Sequence, residues 1–187
     1  MKHKPETILD AAVRLFADEG VGVSTAKVAK AAGVSNGTLF NYFPSKQHLL
    51  DALYVALKVE LAAAIGDDPG GDSLRERVQV IWDRWIDWAI AHRDRHDVLG
   101  LLKSADLVSA EAVARADEAF VTSAAVFHEA VETGLFVDMP FEFVSAFVQT
   151  QLELVVVAGL TDVERDRAFA MVWNGITISH LPQEATT

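Results

Sequence analysis

Apolar positions recur at helical spacing along almost the whole chain. Ile8, Ala12, Leu15 and Phe16 mark one face of a first helix, which Pro5 opens and which runs to Glu19 before Gly20. Leu49, Leu50, Leu53, Leu57 and Leu61 mark a long helix from Lys46 to about Ile65. Asp67 to Asp72 (DDPGGD) then reads as a loop. From about Ser73 to Ala91, Val78, Trp82, Trp85, Ile86 and Ala89 gather on one face, with Ile81 and Trp88 at its edge and Asp83, Arg84 and Asp87 opposite. The charged run His92 to His96 is read as a helix end or turn. A short helix over Val98 to Val108 follows, then a long one over Glu111 to Glu132 with Val113, Phe120, Val121, Ala124 and Phe127 inward, closed by Gly134. Phe141 to Gly159 is apolar nearly all round, so it must be covered on more than one face. A last helix, capped by Thr161 or Asp162, carries Phe169, Met171, Val172, Trp173, Ile176 and Ile178. The pattern contains no repeat and no low-complexity segment, and it predicts an all-α protein.

One stretch departs from ordinary helix rules. Ser24 to Lys46 (STAKVAKAAGVSNGTLFNYFPSK) predicts two short helices joined by a tight turn at Gly33, with Ser24, Ser35 and Ser45 as caps and Pro44 as a stop. Helix, Gly-bearing turn and second short helix is the plan of a helix-turn-helix DNA reader. A helix start favours acids, yet Lys27 and Lys46 occupy first turns here. Gly37 sits inside the first turn of the reading helix, where glycine costs roughly 1 kcal/mol relative to alanine. Asn36, Thr38 and Asn41 beside it are hydrogen-bonding side chains. A docked phosphate and nearby base edges would explain all of these at once.

Net charge is −11 over 187 residues, which at first argues against nucleic acid. Its distribution reverses that. Up to residue 48 there are six lysines and arginines against four acids, and beyond it ten against 23. A mildly basic head on an acidic body confines DNA to one end.

Hydrophobic content of 51% suggests an apolar surface for oligomerisation or for enclosing a ligand. With no cysteine there is no disulfide framework and no thiolate chemistry. No signal peptide is recognisable, and no apolar run reaches the ~20 residues of a membrane span, so a cytoplasmic protein without a membrane partner is expected. His92 and His96 are one turn apart, as metal ligands can be, but in so charged a segment they read as a solvated turn, and no metal is expected. His128 either points into a pocket or lies at the surface. Catalytic signatures are lacking: there is no Glu-x-x-His pair, phosphate-binding glycine loop or nucleophile elbow. No cofactor and no enzymatic activity are expected.

Ile8-Leu9-Asp10-Ala11-Ala12, Leu15-Phe16, Glu19-Gly20, Val28-Ala29, Ala32-Gly33-Val34-Ser35, Gly37-Thr38-Leu39-Phe40, Tyr42-Phe43 and Ser45-Lys46 stand in one order and one spacing. Together they resemble the N-terminal domain of the tetracycline-repressor (TetR) family of bacterial transcriptional regulators. The likeness covers roughly the first quarter of the chain; beyond it only length and helical character agree. The resemblance implies a DNA-binding domain over 1–48 and a ligand-binding and dimerisation bundle over 49–187. It implies a homodimer that lays Ser35 to Tyr42 of each head in a major groove of a palindromic operator, most simply as a repressor released by a small molecule. By position, Asn36, Gly37, Thr38, Asn41 and Tyr42 become base-edge and groove contacts, and either asparagine amide can pair bidentately with adenine. Thr25, Phe40, Tyr42 and Lys46 fall where the backbone is usually met, with Lys27 adding to them. Phe40 stands where tyrosine is common, which removes a phosphate-contacting hydroxyl. Ala26 stands where a longer side chain often reaches a base.

The last two helices, doubled by a two-fold axis, would form a four-helix interface. An apolar or aromatic effector is expected in a pocket walled by Trp82, Trp85, Phe120, Phe127 and Phe147, with Gln151 among its few polar groups. The tryptophans equally suit a bulky core, and Gln149, Gln151 and Glu153 equally suit an interface. The competing reading is an all-α small-molecule carrier or enzyme with a vestigial head.

Overall fold

The computed structural model describes residues 3–178. Ten α-helices follow one another among them: α1 (Lys4–Glu19), α2 (Thr25–Ala31), α3 (Asn36–Tyr42), α4 (Lys46–Ile65), α5 (Leu74–Ala91), α6 (Arg93–Ser104), α7 (Ala110–Asp117), α8 (Val121–Glu132), α9 (Phe141–Ala158) and α10 (Asp162–Ile176). A 3-10 turn over Glu118–Phe120 separates α7 from α8. The all-α class holds: extended pairing among the described residues is confined to one bridge between Phe136 and Thr177. Two compact units emerge, residues up to 63 with 91–120, and 64–90 with those from 121 onward.

In the first unit, Ile8, Ala12 and Phe16 of α1, Val28 of α2 and Leu39 of α3 are at most 1% exposed. They close on Leu49, Leu50, Leu53 and Leu57 of α4, and Val98, Leu102 and Ala116 complete the same cluster from α6 and α7. Helices α6 and α7 thus belong to the same core as the head. Arg95 of α6 reinforces this, donating to Asp10 of α1 at 2.9 Å and to Glu60 of α4 at 2.8 Å.

The second unit is built on ring packing. Trp82 meets Phe169 at 5.8 Å between centroids, Phe169 meets Trp173 at 6.0 Å, Trp173 meets Phe136 at 6.4 Å and Phe136 meets Phe127 at 6.3 Å. Pairs at such separations add about 0.5–1.5 kcal/mol each beyond the area they bury. Arg77 of α5 bonds Glu129 of α8 at 2.8 Å, and Arg165 of α10 bonds Asp87 of α5 at 3.1 Å. By length and composition α9 is apolar enough to cross a bilayer, with a mean hydropathy of 1.4 over 18 residues. It carries Glu142 and Glu153, and Val144, Val148, Leu152, Val155 and Val156 are its buried residues.

Three expectations need correction. The charged run after His92 is already helical: α6 begins at Arg93, with Asp94 in its first turn complementing the helix dipole. It ends at Ser104 because Asp106 adopts a φ of +52°, and Leu107 N–H then reaches the Leu102 carbonyl at 3.2 Å. A glycine would have advertised that closure; an aspartate did not. The single helix over Glu111 to Glu132 is interrupted at the 3-10 turn, where the chain leaves the first unit for the second. Consequently Val113 and Val121, expected inward, are 38% and 67% exposed.

On α5, burial raises the pKa of Asp83, and Asp166, Asp87 and Asp162 push it further, while Arg165 opposes them. The folded chain therefore holds this proton to higher pH than the unfolded chain does. Ionised Asp83 costs stability, the cost setting in as pH rises through its ordinary 3.8 and complete above the raised folded value. Asp83→Asn should raise the melting temperature at neutral pH, with the gain shrinking toward about pH 4 in paired thermal melts.

Candidate nucleic-acid interface

Two caps and one glycine set the geometry of the motif. Ser24 starts α2, its Oγ accepting the Lys27 N–H at 3.3 Å. At the far end Gly33 takes a φ of +69°. Its N–H reaches the Lys30 carbonyl at 3.1 Å, and Val34 N–H reaches the Ala29 carbonyl at 3.0 Å, the paired closure of a Schellman motif. Ser35 then starts α3, accepting Thr38 N–H at 3.0 Å and lying 2.8 Å from Thr38 Oγ1. Leu39, fully buried, anchors α3 to the core.

This leaves the other side of α3 to solvent. Asn36, Gly37, Phe40, Asn41 and Tyr42 are exposed, with the Phe40 and Tyr42 rings at 37% and 45%. A Cβ added at Gly37 would meet only Ser35 Oγ, at 3.8 Å, so nothing inside the chain requires glycine there. Thr25 is the half-buried first residue of α2, and Lys46 the half-buried first residue of α4. Three predicted contacts have internal duties. The Ser35 and Thr38 hydroxyls face each other, and Lys27 Nζ donates to both carboxylate oxygens of Glu19, one at 2.7 Å.

The structure adds a residue that sequence reading passed over. His48 donates its N–H to Ser45 Oγ at 3.2 Å, and its Nδ1 lies 2.7 Å from the same oxygen. Ser45 Oγ therefore caps the His48 amide, while the imidazole bonds that same hydroxyl and not the Ser45 N–H that a capping-box glutamate would accept. The spacing was visible; the side chain was not the expected one.

Residues 8–53 match the family described as bacterial regulatory proteins of the tetR family. A crystal structure from Shewanella sp. PV-4, assigned to tetR family transcription regulators, superposes with a TM-score of 0.84 at 27% identity, over 95% of this chain and 100% of the other. The chain is a member of the TetR family. Its residues 8–53 carry the family's helix-turn-helix DNA-binding fold. Among curated relatives, the HTH-type transcriptional repressor KstR of Rhodococcus jostii is 40% identical over 81 residues, 43% of this chain and 38% of KstR. The nucleoid occlusion factor SlmA of Glaesserella parasuis is 29% identical over 91 residues, 48% of this chain and 45% of SlmA. The chain thus aligns with less than half the length of either relative.

The residues expected around an effector are distributed over both units of this TetR-family chain. Phe120 lies in the first, half-buried beneath Lys58 Nζ at 4.2 Å from its ring centre. Trp82, Trp85, Phe127, Phe147 and Gln151 lie in the second. There Trp82 and Phe127 are the two ends of the ring chain, Trp85 and Gln151 are half-buried, and Phe147 is 37% exposed. Two depressions occur elsewhere: an open one of about 470 Å³ along α8, and one of about 110 Å³ in the first unit. His128 is exposed, its ring stacked on Phe141 at 5.1 Å. His92 is exposed at the N-cap of α6 and His96 is buried one turn on; among the described residues no three His, Cys, Asp or Glu side chains gather as a metal site would need.

The two motif glycines should respond oppositely to alanine. Gly33→Ala places a side chain at a left-handed φ and should destabilise the chain by about 1–2 kcal/mol. Gly37→Ala, helical and unobstructed, should stabilise it by up to about 1 kcal/mol. Urea titrations of the two variants compare them directly.

Proposed function

We propose that the protein is a homodimeric repressor that binds a palindromic operator and is released by a small-molecule effector. The observation carrying the DNA reading is the outer side of α3. It holds two amides, two aromatic rings and a glycine that no internal packing requires. Asn36 and Asn41 read base edges, and Gly37 lets the backbone approach the groove. Tyr42 and Phe40 meet the sugar-phosphate wall, while Thr25 and Lys46 meet phosphate. Ser35 and Thr38 serve mainly to hold α3 at its angle. Lys27, already neutralised by Glu19, contributes less than Lys46. In functional terms residues 1–48 are the DNA-binding part and 49–187 the ligand-binding and dimerisation part, and the protein acts in the cytoplasm without catalysing a reaction.

The dimer reading rests on α9. Phe143, Phe147, Thr150, Leu154 and Val157 are exposed at alternating spacings of four and three residues, which is the seam spacing of paired helices. Met171, 75% exposed, and Val163, 60% exposed, extend apolar surface onto α10. Patches of this kind on a water-facing surface mark contact sites. A second copy presenting the same stripe about a two-fold axis would cover it. The heads of such a dimer read half-sites about 34–36 Å apart.

Selection of random duplexes by the purified chain should enrich an inverted repeat with one-turn half-site spacing; enrichment of no sequence would remove the operator reading. On the selected duplex, Asn36→Ala should cost about 1–3 kcal/mol and relax one base position. Lys46→Ala should weaken all duplexes and reduce the salt slope by about one, and Lys27→Ala by less. Leu154→Glu should shift sedimentation from dimer to monomer. A wild-type chain that sediments as a monomer would refute the dimer.

A further inference from the structure

The strap between α6 and α7 is held at both of its ends by polar side chains of α4. Asp106, in the left-handed region, closes α6, and Leu107 and Val108 then pack against the core cluster of the first unit. Ser109 follows as the N-cap of α7, its Oγ accepting the Ala112 N–H at 3.2 Å. A capping box would satisfy the N-cap's own N–H with a Glu or Gln three residues on, but Ala112 stands there and offers no acceptor. Asp51 of α4 supplies that acceptor from another helix, its Oδ1 taking the Ser109 N–H at 2.9 Å. The same oxygen accepts Gln47 Nε2 at 3.0 Å, and Gln47 Nε2 also donates to the Leu107 carbonyl at 2.8 Å. All of these residues belong to the first unit, as the DNA-binding motif does.

We propose that Asp51 and Gln47 are positioning residues for DNA binding: they clasp the first two turns of α4 to the strap and thereby fix Lys46 where it meets phosphate. The proposal rests on the regulator reading and adds to it two residues that act through Lys46. Geometry carries it. One bond fixes one distance, whereas Gln47 and Asp51 lie a turn apart on one side of α4 and hold it against both rotation and sliding. The leucine stripe cannot do this for the first turn, because it begins only at Leu49 and apolar burial is non-directional. Lys46 directly precedes Gln47 and is half-buried, so its stem follows the backbone beneath it. A charge-assisted bond to a phosphate oxygen spans about 2.7–2.9 Å, a distance that a loosened first turn would not hold. The Ser109 N–H gives the clasp its strength. It is partly buried, and removing Asp51 takes away its acceptor where Ala112 provides none.

The test uses the full chain and the duplex recovered by selection. Asp51→Ala should weaken binding and lower the salt slope by about one, as Lys46→Ala does, while the base preferences in a second selection stay as they were. In the double variant the two losses should not add, because both remove the same contact. Asp51→Asn keeps an oxygen at the accepting position and should restore affinity at least to the wild-type value, and the slope with it. Gln47→Ala, at an exposed position, should show a smaller loss of the same kind, and it replaces Asp51→Ala if that variant melts below the assay temperature. No loss in either alanine variant, full additivity with Lys46→Ala, or a loss that asparagine does not restore would overturn the positioning role. Hydrogen exchange on the DNA-free chain separates these outcomes from failure of the regulator reading. Asp51→Ala should speed exchange at Ser109 and in the first turns of α4 at least about tenfold, while the α1 amides keep their wild-type rates. Unchanged exchange overturns the clasp itself. Faster exchange in a chain whose wild type selects no duplex keeps the clasp and removes both the regulator reading and the positioning role built on it.

Discussion

The first unit depends on one helix being buried along a leucine stripe while its other side stays polar. Leu49, Leu50, Leu53, Leu57 and Leu61 of α4 are all at most 4% exposed. Each such side chain, fully removed from water, contributes about 1.5–3 kcal/mol. The same stripe fastens α1 to α3, and with them Val98, Leu102 and Ala116 from later in the chain. A leucine lost here would loosen the reading head and the α6–α7 strap together. The orientation of α3 is therefore a property of the whole unit rather than of the motif alone.

Electrostatics follows the same economy. Arg95 ties α6 to α1 and α4 through two half-buried carboxylates, and Gln47 and Asp51 tie the strap to the start of α4. These bonds join elements far apart in sequence. Partly buried pairs gain more from Coulomb attraction than exposed ones, because less water screens them. The acidic surplus beyond residue 48 leaves the head as the one mildly basic part of the molecule.

The motif was legible because its information is local. Ser24, Gly33, Ser35, Pro44 and Ser45 each act on backbone within a few residues, and each does what its chemistry predicts, so α2, α3 and α4 fall where they were expected. Leucine periodicity exposed α4 for the same reason. What escaped was set by contacts distant in sequence or by unusual residues in familiar roles. Asp106 closes α6 where glycine would have been recognised, and His48 bonds the hydroxyl of the capping Ser45. Nothing in Ala110 to Glu132 breaks a helix, yet a 3-10 turn divides it where the two units part. Reading α4 by its leucines also concealed its polar stripe, since Gln47, Asp51, Tyr54 and Lys58 look like an ordinary solvated face until Leu107 and Ser109 are seen against them. The aromatic residues chosen as a cavity wall illustrate a limit of composition: periodicity identifies a bulky face but not whether rings or a ligand fill the space before it.

The freedom around Gly37 has an evolutionary consequence. The solvent-facing side of α3 carries almost no internal packing, since Leu39 is the buried residue of the helix and the outward residues serve no core. Substitutions there can accumulate without passing through an unfolded intermediate, so recognition can drift while the scaffold stays fixed. A duplicated copy of this gene would need few changes, all on one short surface, to acquire a new target sequence.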